Sequence, residues 1–512
     1  MLNNVKRDIP EYIEGYGPVK PYKGPFATVP TGRRVGPKIA VSLPHSEKLL
    51  KSIDQAIEAV GLKDGMTISF HHHFRNGDHV PDLVLSAIAR KGIKNLTLAP
   101  SSLHDSSEVL IPLMRQGVVT AIQTSGGRGA IGKYITEGHL SKPTIFRSHG
   151  GRPRAIECGE LNIDVAFIAA PACDPFGNIN GVQGKSACGS LGYAKVDAAY
   201  ADKVVVITDN LLSQPLYPVS VPQDQVDFIV LVESIGDPTK IATQALRITT
   251  DPRELLIAQR AALVMEYGGY FNQGFSFQLG GGGASMAVAR YIKEKMLVHK
   301  ITGSFALGGI GGIAAQMLEE GLLDLAYDAQ TFDGAAVDSL RKNLNHLEIS
   351  ASQYANPHSR GPLVNYLDMV FLGATEVDVN FNVNGLTDSN GLVMGASGGQ
   401  SDTAAGAKLT VVCAPLLRGR LPIVKGNVHT VVTPGATVDV IVTDYGVAVN
   451  PARKDIFENL KASPLKVMSI EDLYQQAIKL TGVPDPIEVS EQIIGVVEYR
   501  DGTVIDVIRR PV

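Results

Sequence analysis

Four cysteines in 512 residues, Cys158, Cys173, Cys188 and Cys413, are few, and no two stand in a C-x-x-C pair. That spacing excludes the usual zinc knuckle and dithiol redox motifs, and so few thiols suit a reducing compartment. No block of Lys or Arg accompanies the net charge of -4, so nucleic acid is not an expected partner. No apolar run approaches the roughly 18 residues that cross a bilayer. The opening MLNNVKRDIPEYIEG has no apolar signal core. A soluble cytoplasmic protein without a membrane partner is therefore the expectation. G-x-S-x-G, Walker and H-E-x-x-H patterns are absent as well, which removes the nucleophile elbow, the phosphate-binding P-loop and the zincin site.

Glycine is what the chain has in quantity, 53 residues clustered between apolar runs. A stretch that occurs twice organises the rest. IDVAFIAAPACDPFGNING (163–181) and LDMVFLGATEVDVNFNVNG (367–385) share Asp164/Asp368, Phe167/Phe371, Ala170/Ala374, Asp174/Asp378, Asn178/Asn382, Asn180/Asn384 and Gly181/Gly385, every pair 204 positions apart. Each copy reads as a strand buried on both faces, followed by Asp, Asn and Gly that bond the local backbone of a tight loop. Loops at the carboxyl ends of parallel strands bind ligands, so the two copies predict two similar halves with a site where their loops converge.

Strand and helix patterns alternate on both sides of the repeat, which gives an α/β fold with mainly parallel sheets. Residues 1–44, broken by Pro and Gly, read as an extended arm on the body or on a neighbouring subunit, anchored by Tyr12, Tyr16, Tyr22 and Phe26. The first domain spans 45–240 and opens with a helix capped by Ser46 that carries Leu49, Leu50, Ile53 and Ile57. The second spans 241–450, where GFSFQLGGGGAS answers ISFHHHFRNGD and SFALGGIGG answers LTLAPSS. Residues 451–512 form a C-terminal extension with two helices and a hairpin turning at Asp501-Gly502.

Three loops of the first half carry basic groups. His71, His72, His73 and Arg75 follow a buried strand, where Arg can grip a carboxylate in a fork and His can donate or move a proton. A structural role is the alternative, and a metal site another, although neighbouring histidines on an extended segment point to opposite sides. Ser125 to Gly129 and Ser148 to Arg152 each place small residues before or around an arginine, Arg128 or Arg152, with His149 inside the second loop. Glycines there let backbone N–H groups approach an anion, or the loops are ordinary turns. The second half answers with Gly280, Gly281 and Gly282, then Gly308, Gly309 and Gly311, then Gly398 and Gly399. These glycines either admit an elongated arm or are tight strand-to-helix turns. Asn178 and Asn382 suit loop positioning better than chemistry. No metal ligand set stands out.

The order of KDGMTISFHHHFRNGD, RQGVVTAIQTSGGRG, SHGGR, GELNIDVAFIAAPACDPFGNING, FSFQLGGGGAS, FNVNGLTDSNG, GASGGQSDTA and DYGVAVNPAR resembles the citrate lyase alpha-subunit family from about residue 45 to the end. The resemblance implies two tandem CoA-transferase-like domains. It implies exchange of citrate for acetyl on the thiol of an acyl carrier protein, giving acetate and citryl carrier protein. The carrier is the gamma subunit, whose phosphoribosyl-dephospho-CoA arm is the CoA-like co-substrate; no cofactor is held tightly by this chain. A beta subunit then cleaves the citryl thioester, within a complex in which this chain is a homo-oligomer. Citramalate lyase alpha subunits and acyl-CoA hydrolases share the architecture, and a non-enzymatic docking subunit is a further reading. Many CoA-transferases carry a glutamate nucleophile after a strand of the second domain; here Gly308 or Gly309 takes its place. The resemblance thus implies that His71, His72, Arg75, Ser125, Arg128, His149 and Arg152 hold citrate or stabilise charge. Gly280, Gly281, Gly282, Gly308, Gly309, Gly311, Asn382, Gly398 and Gly399 would line the path of the CoA-like arm.

Overall fold

In the computed structural model, which describes residues 1–104, 107, 109–241 and 249–512, the repeated stretch supplies a middle strand to each of two large sheets. Val165–Ala170 lies between Thr67–Ser69 and Lys203–Thr208, and Met369–Gly373 lies between Ser276–Leu279 and Leu409–Cys413. All six residues of Val165–Ala170 are buried, as expected where helices cover both faces of a parallel sheet.

Around these strands the two halves run in one order. In the first sheet it is Thr144–Phe146, Val119–Thr124, Leu96–Leu98, Thr67–Ser69, Val165–Ala170, Lys203–Thr208 and Phe228–Leu231. The second sheet repeats it with His346–Glu348, Leu323–Thr331, Gly303–Ile310, Ser276–Leu279, Met369–Gly373, Leu409–Cys413 and Val440–Val442. Neighbours in both sets are parallel. The strand ends that matter for binding therefore point one way within each half.

After each repeated strand the chain makes a small hairpin whose shape the shared residues explain. Asp174 Oδ1 accepts from the amides of Phe176, Gly177 and Asn178 at 3.0 Å each, and Asp378 Oδ1 accepts from Asn380 and Asn382 at 2.9 and 3.0 Å. Asn178 Nδ2 and Asn382 Nδ2 donate to the other oxygen of their aspartate at 2.8 and 3.1 Å. This is the local backbone bonding that Asp and Asn offer in turns.

Three local expectations change. Leu49–Leu50 is a short edge strand parallel to Phe228–Leu231, and the helix is Ile53–Ala59 with Ser52 as its cap. Ser52 to Gln55 is an S-x-x-Q start signal: Ser52 Oγ accepts from the amide of Gln55 at 3.2 Å, while Gln55 Oε1 accepts from the amide of Lys51. The arm lies on the C-terminal hairpin through Ile9, Ile13 and Val19, packed with Val496 and Val504, and through Tyr22 at 4.9 Å from the Tyr499 ring. Tyr12 and Phe26, expected as anchors, are 65% and 71% exposed. Finally, residues 451–512 are shared out. Helices Lys454–Leu460 and Ile470–Thr481 pack with the second half, whereas the hairpin Val489–Glu498/Val504–Pro511 extends the first sheet beside Thr144–Phe146. Among the described residues no helix is long and apolar enough to cross a membrane.

Tyr22 tests the clasp between arm and hairpin. Its ring is buried but its hydroxyl has no hydrogen-bond partner among the described residues. Tyr22→Ala is expected to cost about 3 kcal/mol of packing, and Tyr22→Phe to be neutral or slightly stabilising; thermal unfolding midpoints compare the two.

Candidate active site

The strand Thr67–Ser69 ends in the histidine loop, and the alternation of an extended chain sorts its side chains. His71 and His73 turn into the protein: His71 Nε2 lies 2.8 Å from the carbonyl of Ala169, the two Nδ1 atoms are 2.9 Å apart, and His73 Nε2 is 3.3 Å from the carbonyl of Ala329. His72 turns the other way, into a cleft of about 830 Å³ between the halves. Its Nδ1 lies 2.6 Å from Ser101 Oγ and its Nε2 lies 3.2 Å from Gln330 Oε1. The cleft is near the upper end of small-molecule sites, which span about 300–1,000 Å³.

Arg75 follows in the left-handed backbone region at φ 52°, a strained place for a non-glycine residue. Its guanidinium sits 4.9 Å over the Phe332 ring of the second half. Nε and Nη2 are buried and have no partner among the described residues. Burial, with the charge of Arg128 beside it, lowers the Arg75 pKa to about 10. Arg128, also lowered by burial, stands at the start of the helix Gly129–Thr136 and lines the same cleft. Neither arginine has a carboxylate partner among the described residues, so two repelling cations with spare donors face one space. A carboxylate would relieve both costs.

A ladder of rings completes this wall. His72 lies 5.9 Å from His104, 5.4 Å from His149 and 4.7 Å from Tyr193, and the Tyr193 hydroxyl is 2.6 Å from His149 Nδ1. Burial lowers the pKa of His104 and of His149 to about 3 each; Arg128 and Arg75 add to it at His104, Arg128 and Arg152 at His149. His71 falls to about 4 by burial, and His72 and His73 fall well below the ordinary value for the same first cause. The imidazoles are neutral at neutral pH. Positive charge in the cleft belongs to the arginines and to Lys240.

The opposite wall is glycine. Gly280 to Gly283 lead from Ser276–Leu279 into the 17-residue helix Gly283–His299 and, with Gly308, Gly309, Gly398 and Gly399, line the cleft. At Gly309 a Cβ would lie 1.8 Å from the Phe332 ring. Gly308 has φ 94°, and a Cβ there would lie 2.7 Å from the Gln278 amide. Neither position can carry a glutamate in this arrangement, and among the described residues the carboxylate that lines the cleft is Glu254.

Five expected site residues do not line this cleft. His71 is bonded beneath it. Arg152 spends its guanidinium on a buried pair with Asp197, at 2.6 and 2.9 Å, and on the carbonyl of Ala99 at 2.7 Å. Ser125 lies in the seam, where its carbonyl accepts from Ser397 N at 2.8 Å. Gly311 borders a separate apolar pocket of about 240 Å³ with Met286, Leu307 and Ile313. Asn382 is occupied by Asp378 and by the amide of Gly435 at 2.9 Å. The repeat's two loops do not converge on the cleft: the first copy contributes nothing to its lining, whereas of the paired residues in the second copy Ala374 and Gly385 reach it.

The two glycine loops before Arg128 and Arg152 serve chiefly to join the halves. Gly127 N donates to Gly395 O at 3.1 Å, His149 N to Gly398 O at 2.7 Å and Gly150 N to Asp402 Oδ2 at 2.8 Å. A Cβ at Gly126 or Gly150 would lie 2.2 or 2.1 Å from the opposing carbonyl. Their amides are thus used by protein, and not by an anion. His104 and Tyr193 escaped the sequence reading. His104 lies beyond the end of the strand Leu96–Leu98, so the strand-end rule would have found it; Tyr193 opens the helix Gly192–Tyr200 and carries no such mark.

A family model for citrate lyase, alpha subunit (CitF), matches residues 46–511. The chain belongs to the citrate lyase alpha-subunit family. It is 53% identical over 466 residues to the citrate lyase alpha chain of Klebsiella pneumoniae, covering 91% of this chain and 92% of that one. The crystal structure of the putative alpha subunit of citrate lyase from Streptococcus mutans, in complex with citrate, superposes with a TM-score of 0.96 at 48% identity and covers all of both chains. A 4-hydroxybutyrate CoA-transferase from Porphyromonas gingivalis, 17% identical with a TM-score of 0.55 over 84% of this chain and 96% of that one, shares the fold. Within this family the chain is an enzyme of the citrate CoA-transferase class, built on the CoA-transferase-like fold that the resemblance implied.

The depressed histidines make stability depend on pH. Their folded pKa values lie below the unfolded value of about 6.5, so the neutral cluster contributes fully above that pH and loses its contribution as pH falls toward 3–4. The unfolding midpoint should drop more steeply between pH 7 and 4 in the native protein than in His104→Gln; equal slopes would contradict the assignment.

Proposed function

We propose that the chain exchanges citrate for acetyl on a carrier thiol by direct transfer, with no acyl group on an enzyme carboxylate. The observation that carries this reading is the pairing of two arginines without a carboxylate partner among the described residues, Arg75 and Arg128, with a facing wall in which Phe332 fills the space of any side chain at position 309. Citrate, present in the Streptococcus mutans relative, suits the arginine wall by charge. The CoA-like arm of the acetyl carrier subunit suits the glycine wall, where backbone can approach a narrow chain closely. Beta and gamma subunits are the expected partners, in a cytoplasmic complex containing several copies of this chain, and no cofactor need be held tightly.

The chemistry requires little of the protein beyond placement and charge. A citrate carboxylate oxygen attacks the acetyl carbonyl, and the tetrahedral oxyanion collapses to a mixed anhydride with loss of the thiolate. The thiolate then attacks the citryl carbonyl of the anhydride, and acetate leaves. Nucleophile and leaving group are both anions, so no proton has to move. Holding the two substrates together and stabilising oxyanions supplies the rate.

Incubation of the full chain with acetyl-CoA and citrate should yield citryl-CoA and acetate, with no hydroxylamine-sensitive acyl group on an enzyme glutamate. Free CoA without citryl-CoA would indicate a hydrolase and overturn the proposal. Arg75→Gln and Arg128→Gln should each raise KM for citrate at least tenfold, since a charge-assisted bond contributes about 1.5–3 kcal/mol.

A further inference from the structure

The contact between Tyr193 and His149 fixes which nitrogen of the imidazole carries the proton. The Tyr193 hydroxyl lies 2.6 Å from His149 Nδ1 and has no other hydrogen-bond partner among the described residues, and the ring is buried. Were Nδ1 to donate, the phenol proton would be left in the protein without an acceptor, at the cost of an unmade buried bond. With the phenol donating, both groups of this contact are satisfied, and the remaining N–H is turned to the cleft. Nδ1 is then the acceptor, and the proton of the neutral ring sits on Nε2.

His149 lines the cleft, and its Nε2 has no hydrogen-bond partner among the described residues. Arg75 and Arg128 line the same space, and Arg75, Asp328, Asp402 and Tyr354 act on Tyr193 from around it. Arg128 and Arg152 disfavour a second proton on His149, and burial does so more strongly, which keeps the ring neutral through the physiological range. A neutral ring protonated on Nε2 cannot act as a base toward the cleft. It can donate a hydrogen bond, and donation is what a reaction without proton transfer needs.

We propose that His149 is a catalytic residue that donates its Nε2–H to the oxyanion formed when carboxylate or thiolate adds to a carbonyl, and that Tyr193 is the positioning residue that holds it in this tautomer. The catalytic half of the inference rests on the direct-transfer reading; the tautomer does not. In each addition the carbonyl π pair moves to oxygen, Nε2–H stabilises that charge, and the pair returns as the thiolate or acetate leaves.

The test uses the full chain labelled with 15N-histidine, with His149→Gln to assign the signal. Two-bond proton–nitrogen correlations should show His149 protonated on Nε2 from pH 5.5 to 8, and Tyr193→Phe should give a tautomer mixture. A proton on Nδ1 in the native protein, or an unchanged tautomer in Tyr193→Phe, overturns the assignment. In the acetyl-CoA assay His149→Ala should lose about 100-fold or more in kcat, as removal of an oxyanion donor does, while His149→Gln, which keeps an N–H, recovers at least tenfold of that loss. Tyr193→Phe should lower kcat about tenfold or more with KM for citrate within about twofold. Equal loss in the Gln and Ala variants, or an acid limb of kcat that disappears in His149→Gln, would show a base in place of a donor. Absence of citryl transfer by the native chain would refute the transferase reading, and the nitrogen spectra would still decide the tautomer.

Discussion

The guanidinium of Arg75 rests 4.9 Å over the Phe332 ring, and that ring fills the space a side chain at position 309 would need. One contact across the cleft therefore fixes both walls. On one side it holds a buried cation whose donors face the cleft; on the other it excludes a carboxylate side chain from the strand end at Gly309. The cost is borne in three places: a left-handed backbone at Arg75, two unpartnered guanidinium nitrogens and repulsion from Arg128. An anionic ligand can relieve the last two, which gives the cleft a preference for carboxylates before any shape is considered.

Duplication explains why such a contact is available. Two sheets with one strand order present their carboxyl ends to each other, and the seam between them is joined by the amides of Gly127 and Ser397 on opposing carbonyls and of Gly150 on the Asp402 carboxylate, close enough that only glycine fits at 126 and 150. The halves then diverge in what they place there. Histidine and arginine line the first, and glycine lines the second. An acid held by side chains and a thioester arm lying along backbone are the complementary uses of those surfaces.

Much of this was legible in the residues. The common offset of 204 positions disclosed the two halves, and basic groups just past buried strands led to His72, Arg75, Arg128 and His149. Arg152 misled because its partner, Asp197, lies 45 residues away on a helix, and no spacing rule announces a buried ion pair between distant elements. The glycine loops misled for a related reason: close backbone approach was rightly inferred, but the approaching group is the other half of the chain. Tyr193 was invisible because a tyrosine in the first turn of a helix is ordinary until its hydroxyl is found beside a histidine.

The central claim is that citrate itself, and not an enzyme carboxylate, attacks the acetyl thioester. A single turnover of the full chain with acetyl-CoA and citrate labelled with 18O in its carboxylates separates the two routes. Direct transfer places one 18O from citrate in the first acetate released, because the anhydride oxygen leaves with the acetyl group. Unlabelled acetate with 18O appearing on the enzyme would contradict the account.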